Sequence, residues 1–317
     1  MTTQFTWTTD FPTGVPKNHA LSSKIRDAAI ADCHFVPFAG VEPGYGKKRG
    51  ESINIERLAN LSIPTTGELV EGVKIPEDAF TVSTTSITVV EWGRAVPFTS
   101  LSNDLADFDL SNKVQKKLRD QMSLILDNAA AAVMKGTNAK VKYIPTGVAA
   151  GTFDTDGTAS TTALANVNYY HLEQVRDYLY GTLQCPMING SYIGIFATKG
   201  CRGIKQDPAF VEWNKYTTPE KKAKGEIGMI EGIRIIECNN TSALSNTKGS
   251  GSILGEGIVF GEDALAMAVA LDPELRLGPP ADFGRSQSVA WYGCLNFGIP
   301  WNTATAGQCR SVVITSA

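Results

Sequence analysis

The chain has 317 residues, 43% of them apolar and 19% charged, enough to bury a substantial core and too apolar for a wholly disordered protein. Lys and Arg number 29 against 32 Asp and Glu, a net charge of -3, so the basic surplus of a dedicated nucleic-acid binder is missing. A protein that encloses nucleic acid without gripping it stays open. The opening residues MTTQFTWTTDF lack the basic and apolar regions of a secretory signal, and no apolar run nears the roughly 18 residues that span a bilayer. The expectation is a soluble chain made in the cytoplasm.

The first forty or so residues are punctuated by Pro12, Gly14, Pro16, Pro37, Gly40, Pro43 and Gly44, too densely for a core element, and read as an arm. One short helix is predicted within it, Leu21 to Asp32, with Leu21, Ile25, Ala28 and Ala29 on one face. Such an arm buries little surface on its own subunit and needs something else to lie on. Residues 51–92 read as a long two-stranded excursion. Ile53 and Ile55 alternate with Asn54 and Glu56, and Phe80 to Ser83 and Ile87 to Val89 are rich in residues suited to a pleated surface. Pro64, Gly67, Gly72 and Pro76 break the ladder between them into a wide tip. An isolated, Thr/Ser-decorated hairpin of this kind is marginal in water and asks for a partner.

From Leu110 to Lys135 apolar residues recur at Leu110, Val114, Leu118, Met122, Ile125, Ala129 and Val133, which predicts one helix. At 1.5 Å per residue it measures roughly 39 Å. Asp109 is placed to cap its start and Gly136 to end it, and the run Ala129 to Ala132 permits close approach of another element. The stretch Gly147 to Thr162 (GVAAGTFDTDGTASTT) reads as a loop. Beyond it helix and strand alternate. Asn168 caps a helix carrying Leu172, Val175 and Leu179 and closed by Gly181. Tyr192 to Ala197 is a short buried strand, with Thr198 capping a brief helix after it. Ile227 to Ile236 forms paired strands around Glu231-Gly232, Asn239 to Gly251 is an exposed loop, and strands close the chain at Val289 to Phe297 and Arg310 to Thr315. The fold class is α+β, with an inserted α/β-like lobe and a C-terminal return to the first.

No constellation of catalytic residues survives inspection. The histidines are His19, His34 and His171, none in a metal-binding or triad spacing. Gly44-Tyr45-Gly46-Lys47-Lys48-Arg49-Gly50 resembles a phosphate loop but has the wrong glycine spacing and no Ser/Thr after the Lys, and Gly255 to Gly261 fails the same test. The six cysteines (Cys33, Cys185, Cys201, Cys238, Cys294, Cys309) lie far apart without a C-x-x-C pair and read as small buried hydrophobes. Two basic clusters, Lys47 to Arg49 and Lys221 to Lys224, are either solvated loops or contacts to acidic neighbours or nucleic-acid backbone. No catalytic residue, cofactor or metal ligand is predicted.

An arm, a long extended loop, a long helix, an inserted α/β lobe and closing strands are together similar to the Hong Kong 97-like capsid fold. Glu71 to Pro76, the Thr-rich strand after it and Trp92 to Phe98 resemble the extended-loop region of phage and prophage major capsid proteins. Asp207-Pro208 through Tyr216 to Lys221 and on to Glu226 to Arg234 is the most specific match, and Arg285 to Trp291 fits the closing strands. The likeness spans about residues 20–317. It implies an arm at 1–46, an extended loop at 47–98, a peripheral domain with its spine helix at 99–160, an axial domain at 161–262, and a return to the peripheral domain at 263–317.

It further implies a non-enzymatic subunit that assembles as hexamers and pentamers into an icosahedral head around double-stranded DNA, which is enclosed without sequence-specific binding. A portal, a scaffolding protein and a decoration protein would be its other partners, with no membrane. Arg49, Glu51, Glu68, Glu71, Lys74, Trp92, Arg94 and Arg119 are the expected inter-subunit contacts. Some relatives cross-link through Lys; Lys74 lies in about that region, but no activating environment marks it. Because Met1 precedes the arm directly, the scaffold is expected to be a separate protein or absent. The competing readings are an encapsulin-like compartment shell and an unrecognised cytosolic enzyme.

Overall fold

The computed structural model describes residues 29–42, 51–61, 63–64, 66–105, 110–208, 210–211, 228–248 and 253–317. In chain order the elements are β1 (Gly40–Glu42), β2 (Ser52–Leu58), β3 (Val82–Thr88), β4 (Val90–Thr99), α1 (Ser100–Leu105), α2 (Leu110–Lys135), β5 (Val141–Gly147) and β6 (Ala150–Asp154). Then follow α3 (Tyr169–Asp177), β7 (Tyr192–Ala197), α4 (Thr198–Lys205), β8 (Met229–Ile230), β9 (Ile233–Cys238), β10 (Thr247–Lys248) and β11 (Ile253–Leu254). The last four are β12 (Gly257–Phe260), β13 (Ala266–Leu277), β14 (Ser286–Gly298) and β15 (Ser311–Ile314).

The 3.6-residue repeat makes α2 with the expected bounds, and the helix does two jobs along its length. Its first half lays Val114, Leu118, Met122 and Ile125 against Val289 and Trp291 of a four-stranded sheet ordered β1-β13-β14-β4. In β14, Val289, Trp291, Leu295 and Phe297 are buried at every second position, so one face of that sheet carries the helix. The second half sinks Leu126, Ala130, Ala131 and Met134 into the main core, among Ile193, Ile258, Phe260 and Val313. The alanines let the helix come close enough to reach both layers. At Gly136 the helix stops, and Lys142 reaches back from β5 to donate to the carbonyls of Lys135 and Gly136 at 2.7 and 2.9 Å. A cation on the orphan carbonyls of a helix end is favourable both as hydrogen bonding and as charge–dipole attraction.

The second layer is a mixed seven-stranded sheet ordered β6-β5-β15-β12-β7-β9-β8. All residues of β7, β12 and β15 are buried, the signature of strands covered on both faces. One face meets α2. The other packs Tyr143, Tyr192, Phe196, Ile233, Val259 and Ile314 against Leu172 and Val175 of α3, Leu179 of the helical turn after it, and Ile204 of α4. Asn168 caps α3 as predicted, its side-chain oxygen accepting the His171 N–H at 3.2 Å. β8 and β9 turn back at Glu231-Gly232, both with positive φ (48° and 74°), a conformation that favours glycine at the second position.

Residues 90–99 form β4 and pair with β14, with Trp92 and Phe98 on the face packed against α2. The strands β5 and β6 lie at one edge of the seven-stranded sheet. The C-terminal return divides: β13 and β14 join the four-stranded sheet, while β15 inserts between β5 and β12. Several expectations are corrected. The 147–162 stretch is no mere loop. Its 150–154 segment pairs with β5, and Phe153 stacks on Tyr178 at 4.1 Å. Within 239–251, Asn240, Ala243, Leu244 and Lys248 are buried, not exposed. Thr198 does not cap α4; its hydroxyl donates to the Cys238 carbonyl at 3.1 Å. All six cysteines are free, four of them buried. Asp109, the Leu21–Asp32 helix before residue 29, and the clusters Lys47 to Arg49 and Lys221 to Lys224 lie outside the described residues.

Candidate inter-subunit surfaces

The β2–β3 hairpin has a seated root and an unsupported tip. Pairing runs from Ser52↔Thr88 to Leu58↔Val82. Period-two alternation turns Ile53, Ile55, Arg57, Ser83, Thr85 and Ile87 inward and Asn54, Glu56, Thr84, Ser86 and Thr88 outward. The inner face rests on its own chain: Ile53, Ile55, Ile87 and Val89 pack against Ala266 and Ala268 of β13. Gly298 receives Ile87 so closely that a Cβ there would lie 2.5 Å from Ile87 Cγ1. Thr85 Oγ1 donates to the Pro300 carbonyl at 3.1 Å, and Asn296 Nδ2 donates to the Thr88 carbonyl at 2.6 Å. Beside the root opens a cleft of about 370 Å³, bounded by Thr85 to Thr88, by Val133 and Gly136 to Asn138, and by Asn296 to Ile299.

Beyond Leu58 and before Val82 the described residues form no strand, and the segment leaves its apolar side chains in solvent. Ile63 is 95% exposed, Val70 70% and Phe80 67%, with Leu61, Leu69, Val73 and Ile75 also more than half exposed. The tip carries several large apolar side chains and does not bury them. Covering each such side chain is worth about 1.5–3 kcal/mol. Exposed apolar side chains this numerous in one segment make it a candidate interaction surface. The one ion pair described on it, Lys74 with Glu77 at 2.5 Å, is solvated and contributes little.

Seven of the eight expected contact residues fall among the described residues. Glu51 stands exposed at the start of the hairpin, and Glu68, Glu71 and Lys74 stand exposed on the tip. Arg94 is exposed on β4 and Arg119 on α2. Arg49 lies outside the described residues. Trp92 differs from the rest: it is half-buried, its indole N–H donates to the Leu295 carbonyl at 2.9 Å, and its ring packs on the cluster around Trp291, so it serves the core of its own subunit.

His171 is fully buried, with Nδ1 hydrogen-bonded to the Tyr143 hydroxyl at 2.8 Å, and burial, then the nearby Lys248 charge, depress its pKa to about 4. Lys248 is 4% exposed with no hydrogen-bond partner, and burial lowers its pKa to about 7. Burial likewise lowers Lys142 to about 8. Among the described residues no group of three or more His, Cys, Asp or Glu could hold a metal ion. None of the described helices is long and apolar enough to cross a membrane. What sequence reasoning missed is Asp127, a fully buried carboxylate in α2 that accepts the backbone N–H of Phe35 at 2.7 Å and of Val36 at 3.3 Å. Its only sequence signal is an acidic residue between the apolar positions Leu126 and Ala130.

No family model matches the chain, and no curated protein does. Solved structures do match, over nearly the whole chain. The acid-stable capsid of Helicobacter pylori bacteriophage KHP30 is 12% identical with a TM-score of 0.69, covering 96% of this chain and 97% of its own. The capsid of cyanophage Pam1 is 15% identical with a TM-score of 0.67, covering 97% and 98%. The capsid of Ralstonia phage GP4 is 14% identical with a TM-score of 0.66, covering 96% and 97%. The molecule therefore has the fold of phage capsid subunits. In particular, it is an α+β chain of the Hong Kong 97-like fold.

Proposed function

We propose that this chain is a major capsid protein of a tailed bacteriophage, many copies of which form the icosahedral head shell enclosing double-stranded DNA. The observation that carries this reading is the hairpin tip: a run of apolar side chains from Leu61 to Phe80 held out on a root that is itself firmly seated. An isolated subunit gains nothing from such a projection, whereas a heterologous contact with the next copy covers it and, repeated by rotation, closes a ring and then a shell. The whole-length likeness to phage capsids supports the same reading. On it, the subunit resides in the virion after assembly in the host cytoplasm, as hexamers and pentamers, with portal and scaffolding proteins as further partners. Glu51, Glu68, Glu71, Lys74, Arg94 and Arg119, all exposed, are then available to neighbouring copies.

The test is assembly. Purified full-length protein should elute as capsomers or a megadalton shell and show closed particles by electron microscopy. Deleting Ser62 to Phe80 should leave circular dichroism and thermal transition close to the parent while abolishing particles. Shells of normal size from the deletion variant would remove the tip from the interface. A parent protein that remains monomeric under all assembly conditions would end the capsid reading, and an enzyme in place of DNA inside the particles would favour a storage compartment.

A further inference from the structure

We infer that Asp127 is the anchor fixing where the N-terminal strip joins the folded body, and that its loss frees residues 31–38 while the rest stays folded. The anchoring is a property of the single chain; only its consequence for assembly rests on the capsid reading.

A carboxylate in the buried stripe of a helix is costly unless its oxygens are hydrogen-bonded. Asp127 is fully buried, and its Oδ1 accepts from the backbone N–H groups of Phe35 and Val36, at the start of the 3-10 turn Val36–Phe38. Those N–H groups have no partner within the turn, and the carboxylate supplies one. Its Oδ2 is buried without a partner, as is Nε2 of His34. An apolar residue at this position would leave the Phe35 and Val36 N–H groups buried without an acceptor, so the carboxylate's contribution is the hold on the strip.

The next helix residue tightens the same joint. Asn128 Oδ1 accepts from Asn240 Nδ2 at 2.7 Å, and the adjacent Asn239 exchanges two bonds with Asp32, from Asp32 N–H at 2.8 Å and to Asp32 Oδ2 at 3.3 Å. Two neighbouring residues of α2 thus hold the strip, one directly and one through the loop after β9. Phe35, fully buried in the main core, and Phe38, edge-on to Phe260 at 5.3 Å, fill the space that the polar joint defines. Only then does the chain enter β1 and pair in parallel with β13.

Cys33 reports on the joint. It is half-buried, and its thiol pKa is raised by burial first and then by the charges of Asp127 and Asp32. Cys294 in β14 is also half-buried and serves as a reference within the same molecule. Native full-length protein is treated with a small alkylating reagent and labelling at each cysteine is read by mass spectrometry. Asp127→Ala should raise Cys33 labelling relative to Cys294 by roughly tenfold or more, as expected when two charge-assisted hydrogen bonds cease to oppose local opening. Asp127→Asn, which keeps an acceptor oxygen, should stay within about threefold of the parent. If the alanine variant does not fold, Asn128→Ala, which cuts the indirect tie alone, should raise labelling by about threefold. Unchanged protection of Cys33 in Asp127→Ala, or in Asn128→Ala where that stands in, overturns the proposal. So does equal opening in the asparagine and alanine variants, which would assign the effect to charge. Normal shells from a variant whose Cys33 has opened would leave the anchor standing and remove the strip from assembly.

Discussion

At the scale of single residues, the informative groups are the ionisable side chains that the fold buries. His171, Lys142 and Lys248 all lie in or beside the seven-stranded sheet, and burial disfavours the charged form of each. Their consequence is a pH dependence with a definite sign. His171 titrates near pH 6.5 when unfolded and near 4 when folded, so between those values the unfolded chain binds a proton that the folded chain refuses. Stability therefore falls as pH drops through that window. Lys248, with a folded pKa of about 7, is protonated in both states over most of it and adds little slope there. Between pH 7 and pH 5 the expected loss is about 2 kcal/mol, read as a shift of the urea midpoint. His171→Gln should flatten that dependence, and an unchanged slope in the variant would assign it to other groups.

At the scale of elements, the hairpin root and the strip joint obey one rule: a segment that reaches outward is held by a small, specific contact at its base. For the hairpin the contact is Ile87 in the notch at Gly298. Adding one methyl group in Gly298→Ala places a Cβ 2.5 Å from a β-branched side chain that cannot swing aside. The expected cost is about 1–3 kcal/mol, with amide exchange accelerating in residues 83–88 before the sheets. Uniform acceleration throughout the chain would show that the notch is part of the general core instead. The elements themselves were legible to different degrees. α2 showed plainly because its packing surfaces share one stripe of period 3.6. β13 did not, because Asp272-Pro273 interrupts it; the strand accommodates the proline, which has no N–H to give, at a register shift between Leu271 and Glu274.

At the scale of the whole molecule, the decisive feature is the way β15 completes the seven-stranded sheet. β15 lies between β5, which it meets in parallel, and β12, which it meets antiparallel, and all of its residues are buried. Ending the chain at Arg310 would expose both neighbouring strands along their edges and open the core on either face. Such a truncation is expected to yield no cooperatively folding protein, checked by thermal melting and circular dichroism; a truncated chain that melts cooperatively near the parent temperature would contradict that view of the sheet. The same interleaving joins segments far apart in the sequence into single sheets. Residues 141–154 and 311–314 share one sheet, while 40–42, 90–99 and 266–298 share the other.

What the amino-acid order determined alone is whatever depends on neighbours a few positions away: the span of α2, the Asn168 cap, the Glu231-Gly232 turn, the buried strand at Tyr192 to Ala197, and the hairpin pairing on either side of a proline- and glycine-broken tip. From these, and from the likeness carried by Glu71 to Pro76 and the closing strands, the fold class could be read. Which strands join which sheet, the burial of Asp127 and Lys248, and the contrast between a seated hairpin root and a bare tip were settled only by the tertiary structure. Each of these depends on contacts between residues far apart in the chain, such as Asp127 with Phe35, Ile87 with Gly298, and Val312 with Val141. Their free energy appears only once the intervening loops have closed, and no local pattern of side chains records it.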